Sequence, residues 1–514
     1  MGVAVHDTLH DAPPAGRHGQ ALTPLESGFL HIESTRTPMH MGSVVIFEGA
    51  ELRDASGSLR LDDLRAYIAG RLDRVPKLRR KVRPPAIFGA PSVLVDDEDF
   101  DITSHVRAIG VPAPGGEPEL LEVCGNLMSE PLDRTRPLWD MWLVDGLADG
   151  RVALLVKLHH AMADGLGGVE VATVLFDTEP RPFHPPSAPA PWHPEPPPGA
   201  LQELGDDVGR FGEIVRRWAG DGVSAVCHPL RTAGRAARLT RAVAALSSLR
   251  VPGPRLSINP RIGTGRRLLV VRQPIEDLRR VEHTYGTTLN DVVLCAVAGG
   301  IGVLLEDRRR RAGDAAPRGS PEAGAARSDP SAAGEIQVLV PVGFAHPGGQ
   351  VDNRVAALFA RLPMGGDPLA RLHAVSGRMQ VAKLLHEELA SELFLDLLAP
   401  LPQPLLAAAA QLVHHQALIN LVVTNMPGPP VPLYVLGARA LETFPFVPLA
   451  GNLSLGVAAM SYEGQLTLGI LADHDTCSDA PVFVEGVERS FAQLVALVPR
   501  RASRAASRRR SPGH

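Results

Sequence analysis

The chain has 514 residues, of which 45% are hydrophobic, 21% charged and only 4% aromatic, with 52 Lys and Arg against 56 Asp and Glu. This length exceeds one ordinary core and makes two large domains the expectation. The composition excludes a disordered chain, the near-balanced charge gives no footprint for nucleic acid, and the scarce aromatics furnish no base-stacking platform. Cys124, Cys227, Cys295 and Cys477 stand far apart with no CxxC pair, which argues against zinc and redox sites and fits a reducing compartment. The first residues contain no apolar h-region, so no signal peptide is expected. No run approaches the about 18 apolar residues of a membrane-spanning helix.

Residues 1–20 read as a flexible tail, and an N-terminal α/β domain is expected over 21–180. Pro38-Met39-His40-Met41-Gly42 leads into a strand ending at Phe47. Residues 61–82 place Leu61, Leu64, Ile68 and Leu72 on one helical stripe, followed by the basic cluster Lys77-Leu78-Arg79-Arg80-Lys81, read as a solvated face. Residues 100–107 read as extended, 117–129 as a helix and 142–144 as a strand. The apolar run 152–156 reads as a buried strand. It delivers His159-His160-Ala161-Met162-Ala163-Asp164-Gly165 into a glycine-containing turn before a helical pattern over 169–176.

Residues 181–265 read as a linker, Pro-rich over 181–199 and helical over 201–249. Arginines interleave with apolar residues in the helical part, which suits either a packed connector with an arginine face or a helix lying on an anionic membrane. A second domain is expected over 266–498. It holds a helix over 275–285, a long apolar helix over 292–305 opened by Asn290 and Asp291 as caps, and an irregular, disordered insertion over 308–334. Strands are expected over 336–342, 353–362 and 418–424, helices over 367–399 and 402–416, and a three-stranded meander over 438–444, 453–462 and 466–472. A helix over 479–497 closes the domain, and 499–514 form a basic, disordered tail.

Three chemistries compete for the His pair. Adjacent strand residues point to opposite faces, so His159 and His160 do not converge on one metal ion, and no third ligand lies at a familiar spacing. No G-x-S-x-G elbow or cysteine signature supports a nucleophile. One imidazole acting as general base on a hydroxyl or amine fits best, with one His working and the other supporting. Asp164 reads as a cap or arginine partner that organises the turn, and Gly165 as part of its tight backbone. An ordinary strand-to-helix turn with a surface His pair is the plain alternative.

His159-His160-Ala161-Met162-Ala163-Asp164-Gly165 resembles the HHxxxDG signature of CoA-dependent acyltransferases. Further blocks narrow the resemblance to the bacterial wax ester synthase/diacylglycerol acyltransferase family. They are Pro38-Met39-His40-Met41-Gly42, Pro131-Leu132-Asp133-Arg134, Pro137-Leu138-Trp139, Asn290-Asp291-Val292-Val293-Leu294, Val340-Pro341-Val342, Asn353-Arg354-Val355 and Thr424-Asn425-Met426-Pro427-Gly428-Pro429. They occur in the family's order. Glu26 and Thr424 stand where the family usually has Asp and Ser.

The resemblance implies an α/β (α+β) fold of two chloramphenicol-acetyltransferase-like lobes with a tunnel between them. It implies His160 as general base, His159 as its support, and long-chain acyl-CoA as co-substrate with no other cofactor and no metal. Diacylglycerol or a fatty alcohol would be the acceptor. Thr424, Asn425, Asn290 and Asp291 are the oxyanion or tunnel candidates, and Pro137, Leu138 and Trp139 the substrate-path candidates, with a core role equally open for Trp139. A peripheral place on the cytoplasmic side of an anionic membrane or on lipid droplets is expected. Condensation-type chemistry on carrier proteins and a non-catalytic lipid-binding role are the alternatives.

Overall fold

The computed structural model describes residues 19–87, 90–163, 175–183, 192–196, 198–227, 253–315, 334–345, 351–387, 407–408, 411 and 416–499. The first half contributes β1 (Gln20–Ala21), α1 (Pro24–Ile32), β2 (His40–Phe47), α2 (Leu61–Ala69), β3 (Arg80–Arg83), β4 (Val93–Asp96), α3 (Ile102–His105), β5 (Val106–Gly110), α4 (Glu117–Ser129), β6 (Trp139–Asp145), β7 (Val152–His159) and α5 (His160–Ala163). After the linker helix Ala200–Cys227 come β8 (Arg266–Pro274), β9 (Glu335–Ala345), β10 (Val351–Pro363), β11 (Leu421–Met426), β12 (Tyr434–Val435), β13 (Ala438–Phe446), β14 (Leu455–Tyr462) and β15 (Gln465–Asp473). Helices Ile275–Tyr285, Leu289–Ala315, Pro368–Glu387 and Ala480–Ala496 pack around these strands.

Two six-stranded sheets result, ordered β12-β13-β2-β7-β6-β5 and β10-β9-β11-β14-β15-β8, with a small β1-β4-β3 sheet beside them. The first sheet is buried on both faces. Val45, Phe47, Leu154 and Leu158 point into one core with Leu138 and Trp139. Val44, Ile46, Ala153 and Leu155 point into another with Leu120, Leu127 and Met128 of α4 and with Leu268 and Leu471 of the second half. Burial on both sides explains why the strand leading to the His pair reads as a continuous apolar run. The second sheet wraps the helix Leu289–Ala315, whose Val292, Val293, Leu294, Ile301 and Leu304 are fully buried. That helix is long and apolar enough to cross a membrane, but 72% of its apolar window is buried inside the protein, as for a core helix of a globular lobe.

Several expectations change. Residues 438–444 do not join a meander with 453–462 and 466–472. β13 instead leaves the second lobe and pairs antiparallel with β2, Phe444 opposite Val44 and Phe446 opposite Gly42. It thereby covers what would be an open edge of β2, and Phe444 and Phe446 enter the core shared by the two halves. The second domain is therefore not a closed block over 266–498. The helix expected over 61–82 stops at Ala69, where Gly70 forms the C-cap. Pro76 then opens a 3-10 turn, and Arg80–Arg83 is a strand, since proline lacks the amide a continuing helix needs. The basic cluster that follows is paired with carboxylates: Lys77 with Glu26, Arg79 with Asp73, Arg80 with Asp96 and Lys81 with Asp97.

Residues 102–105 form a helical turn rather than extended chain, because Asp101 caps the amide of Thr103. The segment expected to turn irregular at residue 308 stays helical to Ala315. Arg310 and Arg311 pair with Asp307 along the helix, and Arg308 ties it to Asp479. Residues 316–333 lie outside the described residues, as do most of the tails at 1–20 and 499–514 and most of the helix expected over 402–416.

The lobes meet at α4 and β8. The Arg266 amide donates to Ser129 Oγ at 2.8 Å, and its guanidinium reaches the Arg36 carbonyl and pairs at 3.1 Å with Asp473, both side chains being essentially inaccessible. A Cβ on Gly125 would lie 2.8 Å from the Arg266 carbonyl oxygen, so only glycine allows this approach.

Candidate active site

β7 ends on His159 and α5 begins on His160, so the pair straddles a change of backbone geometry. Across the sheet, β2 places His40 opposite His159 and Gly42 opposite Lys157. The His159 amide donates to the Leu138 carbonyl at 2.9 Å and the His160 amide to the Met39 carbonyl at 2.8 Å. Segments about 20 and 120 residues away in sequence thus hold the backbone of the pair from both sides. Gly42 lets α4 close over them, since a Cβ there would sit 2.6 Å from Met128 Sδ.

His159 is fully buried. Its Nδ1 accepts the Ala161 amide at 3.0 Å, which puts the ring proton on Nε2. Nε2 faces Glu33 Oε1 at 3.3 Å. Glu33, the C-cap of α1, also accepts the Met39 amide at 3.2 Å and Arg134 Nε at 2.8 Å, while Arg134 reaches the Leu30 carbonyl. Burial opposes ionisation of Glu33, yet the His159 N–H facing it and then the Arg134 guanidinium outweigh it and hold the carboxyl down to about 2.

His160 has a different setting. Its ring stacks on Phe29 of α1, centroids 4.0 Å apart, and hydrogen-bonds its own backbone. Only Nδ1 can reach the residue's own carbonyl, which leaves Nε2 as the basic nitrogen. Among the described residues no side chain hydrogen-bonds this ring. Burial, then the neighbouring His159, lower its pKa to about 4, so the imidazole is neutral and able to accept a proton at pH 7.

Two further buried polar groups line the face of β7 that carries His159. Lys157 donates to the Leu127 and Glu130 carbonyls at 2.7 and 2.9 Å, and burial lowers it to about 8. His40 Nε2 lies 2.9 Å from the Met128 carbonyl, and burial lowers His40 to about 3. Both side chains cap the C-terminal turn of α4, whose free carbonyls need donors.

The other candidates are dispersed. Asp164 and Gly165 lie outside the described residues. Pro137, Leu138 and Trp139 are buried in the first-lobe core. Trp139 is 2% exposed, donates from Nε1 to the Leu78 carbonyl at 2.7 Å and stacks on His105. Its indole is packed in the core, and the Leu138 carbonyl accepts the His159 amide. Asn290 and Asp291 are not the N-cap residues. Thr288 is the cap, exchanging hydrogen bonds with Asp291, whose carboxylate also accepts the Ser376 hydroxyl at 3.0 Å. A carboxylate occupied in this way acts as an acceptor and cannot serve as an oxyanion donor. Asn290 is half-buried in the first turn of the same helix. Thr424 and Asn425 end β11 beside Ala458 and Ala459, and Thr424 Oγ1 is buried with no partner among the described residues.

Sequence reasoning missed Phe29, Glu33 and Arg134. One signal was present: an acidic residue at a helix C-terminus opposes the helix dipole and implies a compensating cation. Among the described residues no cluster of three or more His, Cys, Asp or Glu side chains is arranged to hold an ion.

Residues 22–293 match the family model described as wax ester synthase/diacylglycerol acyltransferase catalytic domain, and residues 351–495 match the WS/DGAT C-terminal domain. The chain belongs to the wax ester synthase/diacylglycerol acyltransferase family. A probable diacylglycerol O-acyltransferase of Mycobacterium tuberculosis is 32% identical over 489 residues, 93% of this chain and 96% of that protein. A second, putative one from the same organism is 29% identical over 488 residues, 93% of this chain and 90% of that protein. Among solved structures, a wax ester synthase/diacylglycerol acyltransferase from Marinobacter aquaeolei VT8 shares the fold with a TM-score of 0.62 at 24% identity, covering 92% of this chain and 98% of that one. The first condensation domain of the calcium-dependent antibiotic synthetase shares it at 0.55 and 16% identity, covering 95% and 98%. The two-lobed α/β architecture expected of the family is the architecture observed, with β13 exchanged between lobes.

Proposed function

We propose that this acyltransferase moves a long-chain acyl group from acyl-CoA to the hydroxyl of diacylglycerol, with long-chain alcohols as a second acceptor class. The observation that carries the reading is the His160 imidazole, neutral, oriented by its own backbone and by Phe29, with no side chain among the described residues hydrogen-bonded to it. Nε2 takes the proton of the acceptor hydroxyl while its oxygen attacks the thioester carbonyl. The tetrahedral oxyanion collapses, the C–S bond breaks, and the imidazolium returns the proton to the CoA thiolate. The Thr424 hydroxyl, with no partner among the described residues, is the proposed oxyanion donor, with Asn425 beside it. Acyl-CoA enters as co-substrate and no further cofactor takes part. The names of the mycobacterial relatives support diacylglycerol as acceptor. Membership of the family favours acyl-CoA over carrier-protein donors.

Both products are water-insoluble, and an outward apolar stripe supports peripheral attachment to the cytoplasmic face of a membrane or to lipid droplets. In helix Ala200–Cys227, Glu203 pairs with Arg83 and Asp207 accepts the Ala86 amide, anchoring the helix by polar contacts. Leu201, Leu204, Val208, Phe211 and Val215 are exposed at alternating spacings of three and four. Protein that fails to float with anionic liposomes would remove this part.

The test of the activity is thiol release from palmitoyl-CoA with diacylglycerol or hexadecanol present. Release should depend on the acceptor. Equal release without acceptor would indicate hydrolysis.

A further inference from the structure

α1 touches both histidines, and it does so from one face. Phe29 and Glu33 are four residues apart, one helical turn, so their side chains lie on the same side. Phe29 stacks on His160 with centroids 4.0 Å apart and rings inclined by 27°. Glu33 Oε1 stands 3.3 Å from His159 Nε2 and 3.2 Å from the Met39 amide nitrogen. The Met39 carbonyl in turn accepts the His160 amide at 2.8 Å. One carboxylate therefore faces the Nε2 edge of His159 and, through one residue, Met39, holds the backbone of His160.

The helix is itself held firmly. Thr23 and Glu26 form a capping box at its start, and Lys77 bonds Glu26 from the next segment at 2.7 Å. Arg134 locks the other end through Glu33 Oε2 and the Leu30 carbonyl. α1 and α5 pack directly on each other where Phe29 meets His160.

We propose that α1 is a two-point clamp on the histidine pair, with Phe29 and Glu33 as positioning residues. Phe29 fixes the plane of the His160 ring and keeps water from it. Glu33, with its charge matched by Arg134, fixes His159 and the Met39 peptide behind it. This rests on the reading of His160 as the base. A 1 Å error in placing a reacting group can cost on the order of 100-fold in rate, so such a clamp is worth as much to turnover as a direct contact. Among the described residues, His159 and Arg134 act on Glu33, His159 acts on His160, and Glu33 in turn acts on His40 and Lys157.

The test compares wild type with Phe29→Tyr, Phe29→Leu, Phe29→Ala and Glu33→Gln in the full-length chain. It follows thiol release from palmitoyl-CoA across pH, with the folded fraction of each variant measured by circular dichroism. The clamp predicts that Phe29→Ala lowers kcat at least about tenfold at little change in KM for acyl-CoA. The acid limb of its kcat/KM profile should move up toward the ordinary histidine value as water reaches the ring. Phe29→Leu should fall between, and Phe29→Tyr, which keeps the stack, should restore most of the rate. Glu33→Gln cannot match Arg134 and His159 together, and should lose kcat by a similar factor. Variants whose rate per folded molecule and pH profile equal wild type would overturn the clamp, as would rates that fall only in step with the folded fraction. A wild-type protein that releases no thiol with either acceptor would instead sink the acyl-transfer reading itself.

Discussion

The imidazole of His160 lies against the ring of Phe29, 4.0 Å between centroids, in a setting where burial brings its pKa to about 4. The base is therefore in its active, neutral form from neutral pH down to well below the ordinary histidine value of about 6.5. Because the folded pKa is lowered, activity should be present above it and be lost as pH falls through it. We expect the acid limb of kcat/KM for the free enzyme to have its midpoint near 4, read from initial rates of thiol release. A midpoint at 6 or above would mean that the working imidazole is solvated.

The same arithmetic makes acid a destabilising agent. His40, brought to about 3, His160, brought to about 4, and His105, also lowered by burial, stay neutral in the fold while the unfolded chain protonates them below its own histidine value. Each contributes stability that is whole above about 6.5 and shrinks as pH falls, by at most about 1.4 kcal/mol per pH unit. Glu33 adds to the loss only below its unfolded value of 4.5 and down to about 2. Between pH 6.5 and 4.5 the melting temperature should therefore fall from the histidines, and His40→Gln should flatten that slope. An unchanged slope would show that His40 is not neutral in the fold.

Trp139 separates a core role from a substrate-path role. Its indole donates to the Leu78 carbonyl at 2.7 Å and is 2% exposed. Trp139→Phe leaves that carbonyl without its donor and should cost about 1–3 kcal/mol of stability, measured by urea unfolding. The preference among acyl-CoA chain lengths should not move. A changed chain-length preference at wild-type stability would return Trp139 to the substrate path.

The Thr424 hydroxyl is buried with no hydrogen-bond partner among the described residues, and such groups ask for an explanation. If it donates to the developing oxyanion, Thr424→Val should lower kcat by about 100-fold while KM for acyl-CoA holds. Thr424→Ser should recover most of the rate. A Thr424→Val enzyme with wild-type kcat would leave the hydroxyl no part in the reaction.

The sequence made the local elements readable wherever period and caps agreed. The helices Glu117–Ser129 and Ile275–Tyr285 have the bounds their patterns predict. The failures share a cause, which is that long-range partners decide. β13 reads as part of a local meander, but the open edge of β2, some 400 residues away, captures it. Residues 308–315 read as irregular by composition, yet Asp307 and Asp479 hold their arginines in helix. At the site, the His pair marks the end of the strand, and the two rings part because β7 ends on His159 and α5 begins on His160. The residues that distinguish their environments, Phe29 and Glu33, lie on another element about 130 residues earlier, where no local period connects them to the pair. Asp291 shows the reverse: it stands out in sequence as part of a motif, and its carboxylate and amide are engaged with Thr288 at the start of its own helix.

The central claim is that His160 Nε2 accepts the acceptor's proton and that acyl-CoA binds without it. The direct measurement is His160→Ala, with kcat from thiol release and acyl-CoA affinity from equilibrium titration of the same preparation. A general base of this kind supplies roughly 100- to 10,000-fold in rate. Turnover should therefore fall by at least about 100-fold while acyl-CoA affinity stays close to wild type. A variant that still turns over near the wild-type rate, or that loses acyl-CoA binding in parallel with turnover, would contradict the assignment.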